Sequence, residues 1–290
     1  MTITRTLRKI LATEDINFLL TNRIPRQSLT LLMGRISHIQ SAWFTRLALK
    51  VWGWFDDFDM HESASQHFDS IHAFFIRSLK PGMRPITSDL NTLVSPCDGV
   101  IGAHGRIEDG QLFQAKGFPY TLQDLLGPGV ALDDWHHGYY VTLRIRASMY
   151  HRFHAPCSGR LRQVHYFSGD TWNVNPIALK RVEKLFCKNE RAALWVENTE
   201  QEHTIALVPV ATVMVASIRL HSIDSLMHLR YQGPQKIDCD HRFERGDELG
   251  WFQHGSTIIM LMPPGYGIAT GLNTDDVIRV GQTLLRYQRA

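Results

Sequence analysis

Two periods of apolar spacing divide this chain, and the switch between them limits the folds open to it. Over 29–55 the residues Leu32, Ile36, Ile39, Trp43, Leu47, Val51 and Trp54 recur at steps of three and four, which stacks side chains along one helix face. Arg35, His38, Ser41, Arg46 and Lys50 fall on the other face, so the spacing predicts an amphipathic helical segment. A short helix is expected around 70–79, ended by Lys80-Pro81-Gly82. Beyond it the period drops to two. Residues 139–146 and 160–166 alternate and predict strands with one wet face each. Residues 205–220 and 257–262 are continuously apolar and predict buried strands. The expected class is α+β: a predominantly antiparallel β body, 63–290, behind an N-terminal amphipathic helical region, 1–62.

Charge sharpens the reading of that front. The first fifty residues hold eight basic side chains (Arg5, Arg8, Lys9, Arg23, Arg26, Arg35, Arg46, Lys50) against Glu14 and Asp15. Because the whole chain carries only +3, the remainder is net acidic. Trp43, Trp52 and Trp54 add rings that favour the boundary between water and acyl chains. The combination predicts a membrane-associating region drawn to an anionic lipid surface. Packing of the same helix on its own domain is the competing reading. Nucleic acid is not expected, since no recognisable binding module accompanies the basic residues. No apolar run approaches the roughly 18 residues that span a bilayer, and charges interrupt the start too early for a secretory signal. Cys97, Cys157, Cys187 and Cys239 are far apart with no CxxC pair, as for ordinary small apolar residues in a reducing compartment.

Four segments set a reactive residue beside a backbone breaker: Ser95-Pro96-Cys97-Asp98-Gly99, Tyr150-His151-Arg152-Phe153-His154-Ala155-Pro156, Asn173-Val174-Asn175-Pro176 and His254-Gly255-Ser256-Thr257. An acid, an imidazole and a hydroxyl are the ingredients of an activated serine, in which the base takes the proton and the acid fixes the tautomer. Spacing does not bring them together. Gly255 before Ser256 allows a turn that holds the hydroxyl against the preceding carbonyl, where a backbone self-attack becomes possible. The same pair also reads as a plain turn opening a strand. His136-His137 and Asp238-Cys239-Asp240-His241 lack a further ligand set, and no metal is expected.

Taken in order, the motifs identify a resemblance. Phe74-Phe75-Ile76-Arg77, Arg84-Pro85-Ile86, SPCDGVIG at 95–102, QAKG at 114–117, YHRFHAP at 150–156, NVNP at 173–176, NERA at 189–192, GDELGWF at 246–252 and GST at 255–257 resemble the bacterial phosphatidylserine decarboxylase proenzymes. The likeness covers about 65–263 and extends toward the helical front. It implies that the chain cuts itself between Gly255 and Ser256 into a β chain, 1–255, and an α chain, 256–290. Asp98 is then the residue that orients His154, His154 the base that deprotonates Ser256, and Ser256 the nucleophile on the Gly255 carbonyl. The resulting ester eliminates to dehydroalanine, which hydrolyses to a covalent pyruvoyl group at position 256, the only cofactor implied, with no pyridoxal phosphate. A Schiff base between its ketone and the lipid's amine lets carbon dioxide leave phosphatidylserine to give phosphatidylethanolamine. His151 matches the residue expected to protonate the carbanion. The resemblance also implies that the α and β chains stay together as a heterodimer, that two such heterodimers pair, and that the enzyme is peripheral on the cytoplasmic face of the bacterial inner membrane.

The chain departs from the family pattern at His254, where leucine is usual, at Met149, where aspartate is usual, and at Ala211 and Ala216, where glycines are common. Rival readings are a pyruvoyl decarboxylase of a soluble amino acid or another serine-headed lipid, and a serine hydrolase using Asp98, His154 and Ser256 without self-cleavage.

Overall fold

Strand pairing in the computed structural model, which describes residues 13–54, 58–115, 118–130, 132–214, 217–253 and 256–288, organises the body around one eight-stranded sheet. Its strands are β2 (Gly99–Arg106), β5 (Tyr139–Ile145), β7 (Gly159–Phe167), β8 (Arg191–Asn198), β9 (His203–Ala211), β12 (Lys236–Phe243), β14 (Ser256–Met262) and β16 (Val277–Ile278). They lie in the order β12-β7-β8-β9-β14-β5-β2-β16, and every pairing is antiparallel. A four-stranded sheet holds β11 (Leu226–His228), β10 (Ser217–Leu220), β13 (Glu248–Phe252) and β6 (Arg152–His154) in that order, and a three-stranded one holds β1 (Thr92–Val94), β17 (Thr283–Tyr287) and β15 (Tyr266–Ile268). A hairpin joins β3 (Gln111–Ala115) to β4 (Phe118–Thr121).

Alternation divides the large sheet into two apolar faces. Val141, Leu143, Ile145, Ile258 and Met260 meet Phe153, Leu220, Phe252, Leu284 and Leu285 of the two smaller sheets. On the opposite face, Tyr140, Val208, Ile259 and Leu261 meet Leu122, Leu125, Leu185 and Phe186, the last four from short helices at Leu122–Leu126 and Leu185–Lys188. The strand expected over 139–146 forms, but without a wet face: β5 sits between β14 and β2 and both its faces are covered. The strand over 160–166 does alternate between buried and accessible positions. The apolar run 205–220 is two strands of different sheets, because Thr212–Met214 turn, with Met214 at φ 67°.

The helical front holds α1 (Glu14–Asn22), α2 (Arg26–Ser37), α3 (Ala42–Trp52) and α4 (Ile71–Phe75). The single segment expected over 29–55 is thus broken. Ser41 leaves helical geometry and accepts from Phe44 N at 3.3 Å, which starts a new helix. The helix expected around 70–79 shrinks to five residues capped by Ser70. The apolar stripe points outward: Leu32, Ile39, Trp43, Leu47, Val51 and Trp54 are exposed, Trp43 by 70%. The inward face is a different set, Phe44, Ala48, Leu49 and Trp52, packed on Ile71, Phe74 and Phe75. Trp52 is therefore a core ring and not an interfacial one. Arg26 fixes α2 to the body by pairing with Asp170 at 2.6 Å and stacking 3.7 Å over Trp172. No helix among the described residues is long and apolar enough to cross a membrane.

Arg5, Arg8, Lys9, Lys116, Gly117, Ala216, His254 and Gly255, all singled out in the sequence, lie outside the described residues.

Candidate active site

His154 ends β6, a strand whose central Phe153 is buried in the main core. Its Nδ1 lies 2.8 Å from the carbonyl oxygen of Gly246, and its Nε2 lies 3.1 Å from the Tyr150 hydroxyl. A carbonyl only accepts, so Nδ1 carries the hydrogen and Nε2 presents its lone pair to the Tyr150 O–H. Burial pushes the ring's pKa down, against the Gly246 bond and the charges of Glu248 and Asp98. The ring is thereby a neutral base with one tautomer imposed on it. Gly246 can aim its carbonyl this way because its φ is +89°, and a Cβ there would meet Ile86 Cγ1 at 2.7 Å. Ile86 of Arg84-Pro85-Ile86 thus lies against the opening glycine of GDELGWF.

Asp98 receives Arg84 Nε at 2.9 Å and the Val280 backbone N–H at 3.0 Å, while Arg84 Nη2 reaches its second oxygen. Arg84 also pairs with Glu62 at 2.7 Å, and Arg279 with Glu62 at 2.6 Å. Hydrogen bonding from Arg84 lowers the Glu62 pKa, and the two carboxylates raise that of Arg84. The sequence expectation gave Asp98 the task of orienting the ring. In the structure the Gly246 carbonyl holds Nδ1, and Asp98 reaches His154 as a charge. Arg84, Asp98 and Tyr150 share a polar cavity of about 350 Å³.

A second cavity of about 350 Å³ is lined by Trp52, Phe75, Ile145, Asn173, Val174 and Val213, among others. Ile145 is the register partner of Ser256, as Ala211 is on the other side, so the first residue of β14 is held between two strands at this cavity's edge. His151 is fully buried, with its ring edge-on to Phe75 at 5.2 Å between centroids and its carbonyl accepting from Phe252 N at 3.0 Å. The loop before it is clamped by buried Arg77, which donates to the carbonyls of Ser148 at 3.0 Å and Met149 at 3.2 Å. Arg152 ties the same motif to Ile76 O and to both Glu248 oxygens. In NVNP, Asn175 caps the helix Pro176–Leu179 and donates to Asn17 at 3.0 Å, while Asn173 N donates to Asn22. The motif thus joins the cavity to α1.

Of the sequence candidates, Asp98 and His154 cluster with Arg84 and Tyr150, whereas Phe75 and Ile145, the neighbours of His151 and Ser256, line the apolar cavity. Segment 145–150 separates the two groups, and Arg146 lines both cavities. Tyr150, Gly246 and Arg84 all belong to motifs of the sequence, but their roles are not legible there, because hydrogen-bond partners distant in sequence leave no spacing signal. Glu190 of NERA was missed likewise. It is fully buried, and burial raises its pKa to about 8, with Tyr166 pulling it back.

A family model described as Phosphatidylserine decarboxylase matches residues 71–286. Curated relatives named "Phosphatidylserine decarboxylase proenzyme", from Yersinia pestis (strain Pestoides F) and from Yersinia pseudotuberculosis serotype O:1b (strain IP 31758), are each 33% identical across 93% of this chain and 96% of their own length. Those matches, spanning the sheet, both cavities and the helical front, make this chain a member of the phosphatidylserine decarboxylase family.

Proposed function

We propose that this chain releases carbon dioxide from phosphatidylserine after cutting itself between Gly255 and Ser256. The observation that carries the reading is His154 with its Nδ1 held by the Gly246 carbonyl in a chain whose strand β14 opens at Ser256. In the maturation step, once the Tyr150 hydroxyl releases Nε2 and segment 145–150 gives way, His154 Nε2 takes the hydroxyl proton of Ser256. The freed oxygen attacks the Gly255 carbonyl carbon, and the C–N bond between Gly255 and Ser256 breaks to leave the ester as the imidazolium protonates the departing nitrogen. Asp98, paired with the fork of Arg84, supports the imidazolium that forms. Two flanking strands immobilise the backbone of Ser256, which reduces the entropy lost in reaching the attack geometry.

The residues around position 256 suit a pyruvoyl group: strand pairing anchors it, and the adjoining cavity is open to an amine-bearing head group. Such a ketone supplies an electron sink for decarboxylation. His151, buried against Phe75, is assigned the return of a proton to the carbanionic carbon. Residues 1–62 are assigned to membrane attachment, supported by the exposed stripe from Leu32 to Trp54 with Arg35, Arg46 and Lys50 beside it. The enzyme then sits peripherally on the cytoplasmic face of the inner membrane, and its two chains pair again as a dimer of heterodimers.

Intact mass and gel analysis of purified protein test the reading. The expected result is a 35-residue fragment, 256–290, with a blocked, carbonyl-bearing N-terminus, and carbon dioxide release from phosphatidylserine vesicles. Ser256→Ala should stay uncut and inactive. A single intact chain that reacts with a serine-directed phosphonate would replace the decarboxylase with a hydrolase.

A further inference from the structure

The apolar cavity beside β14 contains an unexplained concentration of positive charge. Arg144 and Arg146 both line it, and among the described residues no aspartate or glutamate does. Among the described residues neither guanidinium has a carboxylate within ion-pair distance, whereas Arg84 is matched to Asp98 and Glu62, and Arg152 to Glu248. Arg144 is half-buried and Arg146 exposed at the rim. Burial and the neighbouring Arg146 press against the charge on Arg144, and Asp275 favours it. Two like charges, one partly desolvated, are costly to keep unmatched. Guanidinium forks are suited to an oxyanion of phosphate type.

Register places this charge. Arg144 pairs across the sheet with Thr257, one residue after Ser256. The polar lining is otherwise Asn173, Asn175, Thr21 and Thr212, and Leu20, Ile24 and Trp52 of the helical front supply apolar wall. In a serine phospholipid, a short run of single bonds links the reacting amine to the phosphorus, and the glycerol and acyl chains continue beyond it. A substrate whose amine is at position 256 therefore brings its phosphate close to Arg144 and its apolar part toward the helices.

We propose that Arg144 and Arg146 form the anion subsite that receives the phosphodiester of the substrate's head group. The assignment rests on the reading of the chain as a serine-phospholipid decarboxylase. It makes the subsite a selector against free amino acids, which lack the phosphate.

The test uses processed full-length protein and titrates soluble glycerophosphoserine, serine and inorganic phosphate by calorimetry, beside turnover of phosphatidylserine in nonionic detergent micelles normalised to carbonyl-bearing chain. The parent should bind glycerophosphoserine more tightly than either serine or inorganic phosphate. Arg144→Gln/Arg146→Gln should weaken that binding about tenfold or more and raise KM by a similar factor, while Arg144→Lys/Arg146→Lys recovers part of it. Arg146→Gln alone, at the exposed rim, should cost about threefold and keeps the test open if the double variant folds poorly. Equal glycerophosphoserine binding in parent and glutamine variants overturns the subsite, as does tighter binding of free phosphate than of the diester. A parent that loses glycerophosphoserine binding on substitution but never releases carbon dioxide retains the subsite and removes the decarboxylase reading.

Discussion

The Tyr150 hydroxyl stands 3.1 Å from Nε2 of His154, on the nitrogen opposite the one held by Gly246. The base that the maturation step requires is therefore already engaged by a donor four residues away in the chain. Donation to Nε2 favours the neutral ring, so it adds to the effect of burial in keeping the His154 pKa below 6.5.

Removing that donor has a sign that can be measured. In Tyr150→Phe the neutral ring loses a hydrogen bond, its pKa rises, and the acid limb of the self-cleavage rate should move up by about half to one pH unit. The readout is the rate of appearance of the 256–290 fragment across pH 4 to 8. An unshifted limb would mean that the hydroxyl does not engage Nε2 in the folded proenzyme.

Gly246 offers a backbone test of the same base. Gly246→Ala forces a side chain into a φ of +89° and against Ile86, a strain of about 1–3 kcal/mol. Its carbonyl should turn from Nδ1 and self-cleavage should slow by about tenfold or more. Adding Ile86→Ala removes the clash but not the φ penalty, so melting temperature and cleavage rate should recover only in part.

Glu190 predicts a pH dependence of stability. Its folded pKa, about 8, lies above the unfolded value of 4.5, so its contribution is fully present below pH 4.5 and is lost as pH rises through 8. Over that window the parent should lose about 1.4 kcal/mol per pH unit relative to Glu190→Gln, which has no proton to release. Urea unfolding of both proteins at pH 5, 6, 7 and 8 should show the gap widening. A constant gap would place the Glu190 carboxyl in a solvated or paired environment.

The outward stripe predicts membrane affinity. Trp43→Glu/Leu47→Glu replaces two exposed apolar residues and should cut binding to vesicles containing anionic lipid by about tenfold or more, with turnover in detergent micelles retained. Added salt should weaken the parent's binding without abolishing it. Parent and variant sedimenting equally with vesicles would move the attachment surface elsewhere.

Local chemistry explains how much of this was legible. The alternation over 139–146 and the apolar run 257–262 depend only on side-chain direction along a strand, and β5 and β14 form there. The spacing of Leu32 to Trp54 correctly grouped one face of the front. It did not tell which way that face points, since orientation depends on whether Phe44 and Trp52 find Phe74 and Phe75. The wet face assigned to β5 failed for a similar reason: covering depends on the strand's place in the sheet order.

The sequence by itself determined the strand and helix periods, the family, and the identities of the acid, imidazole and hydroxyl, because these are written in neighbouring residues. Tertiary structure alone decided the state of the base and the charge of the cavity. A proton on Nδ1 of His154 requires the Gly246 carbonyl, 92 residues along the chain, and an unmatched pair of arginines requires that folding bring no carboxylate of the described residues to them.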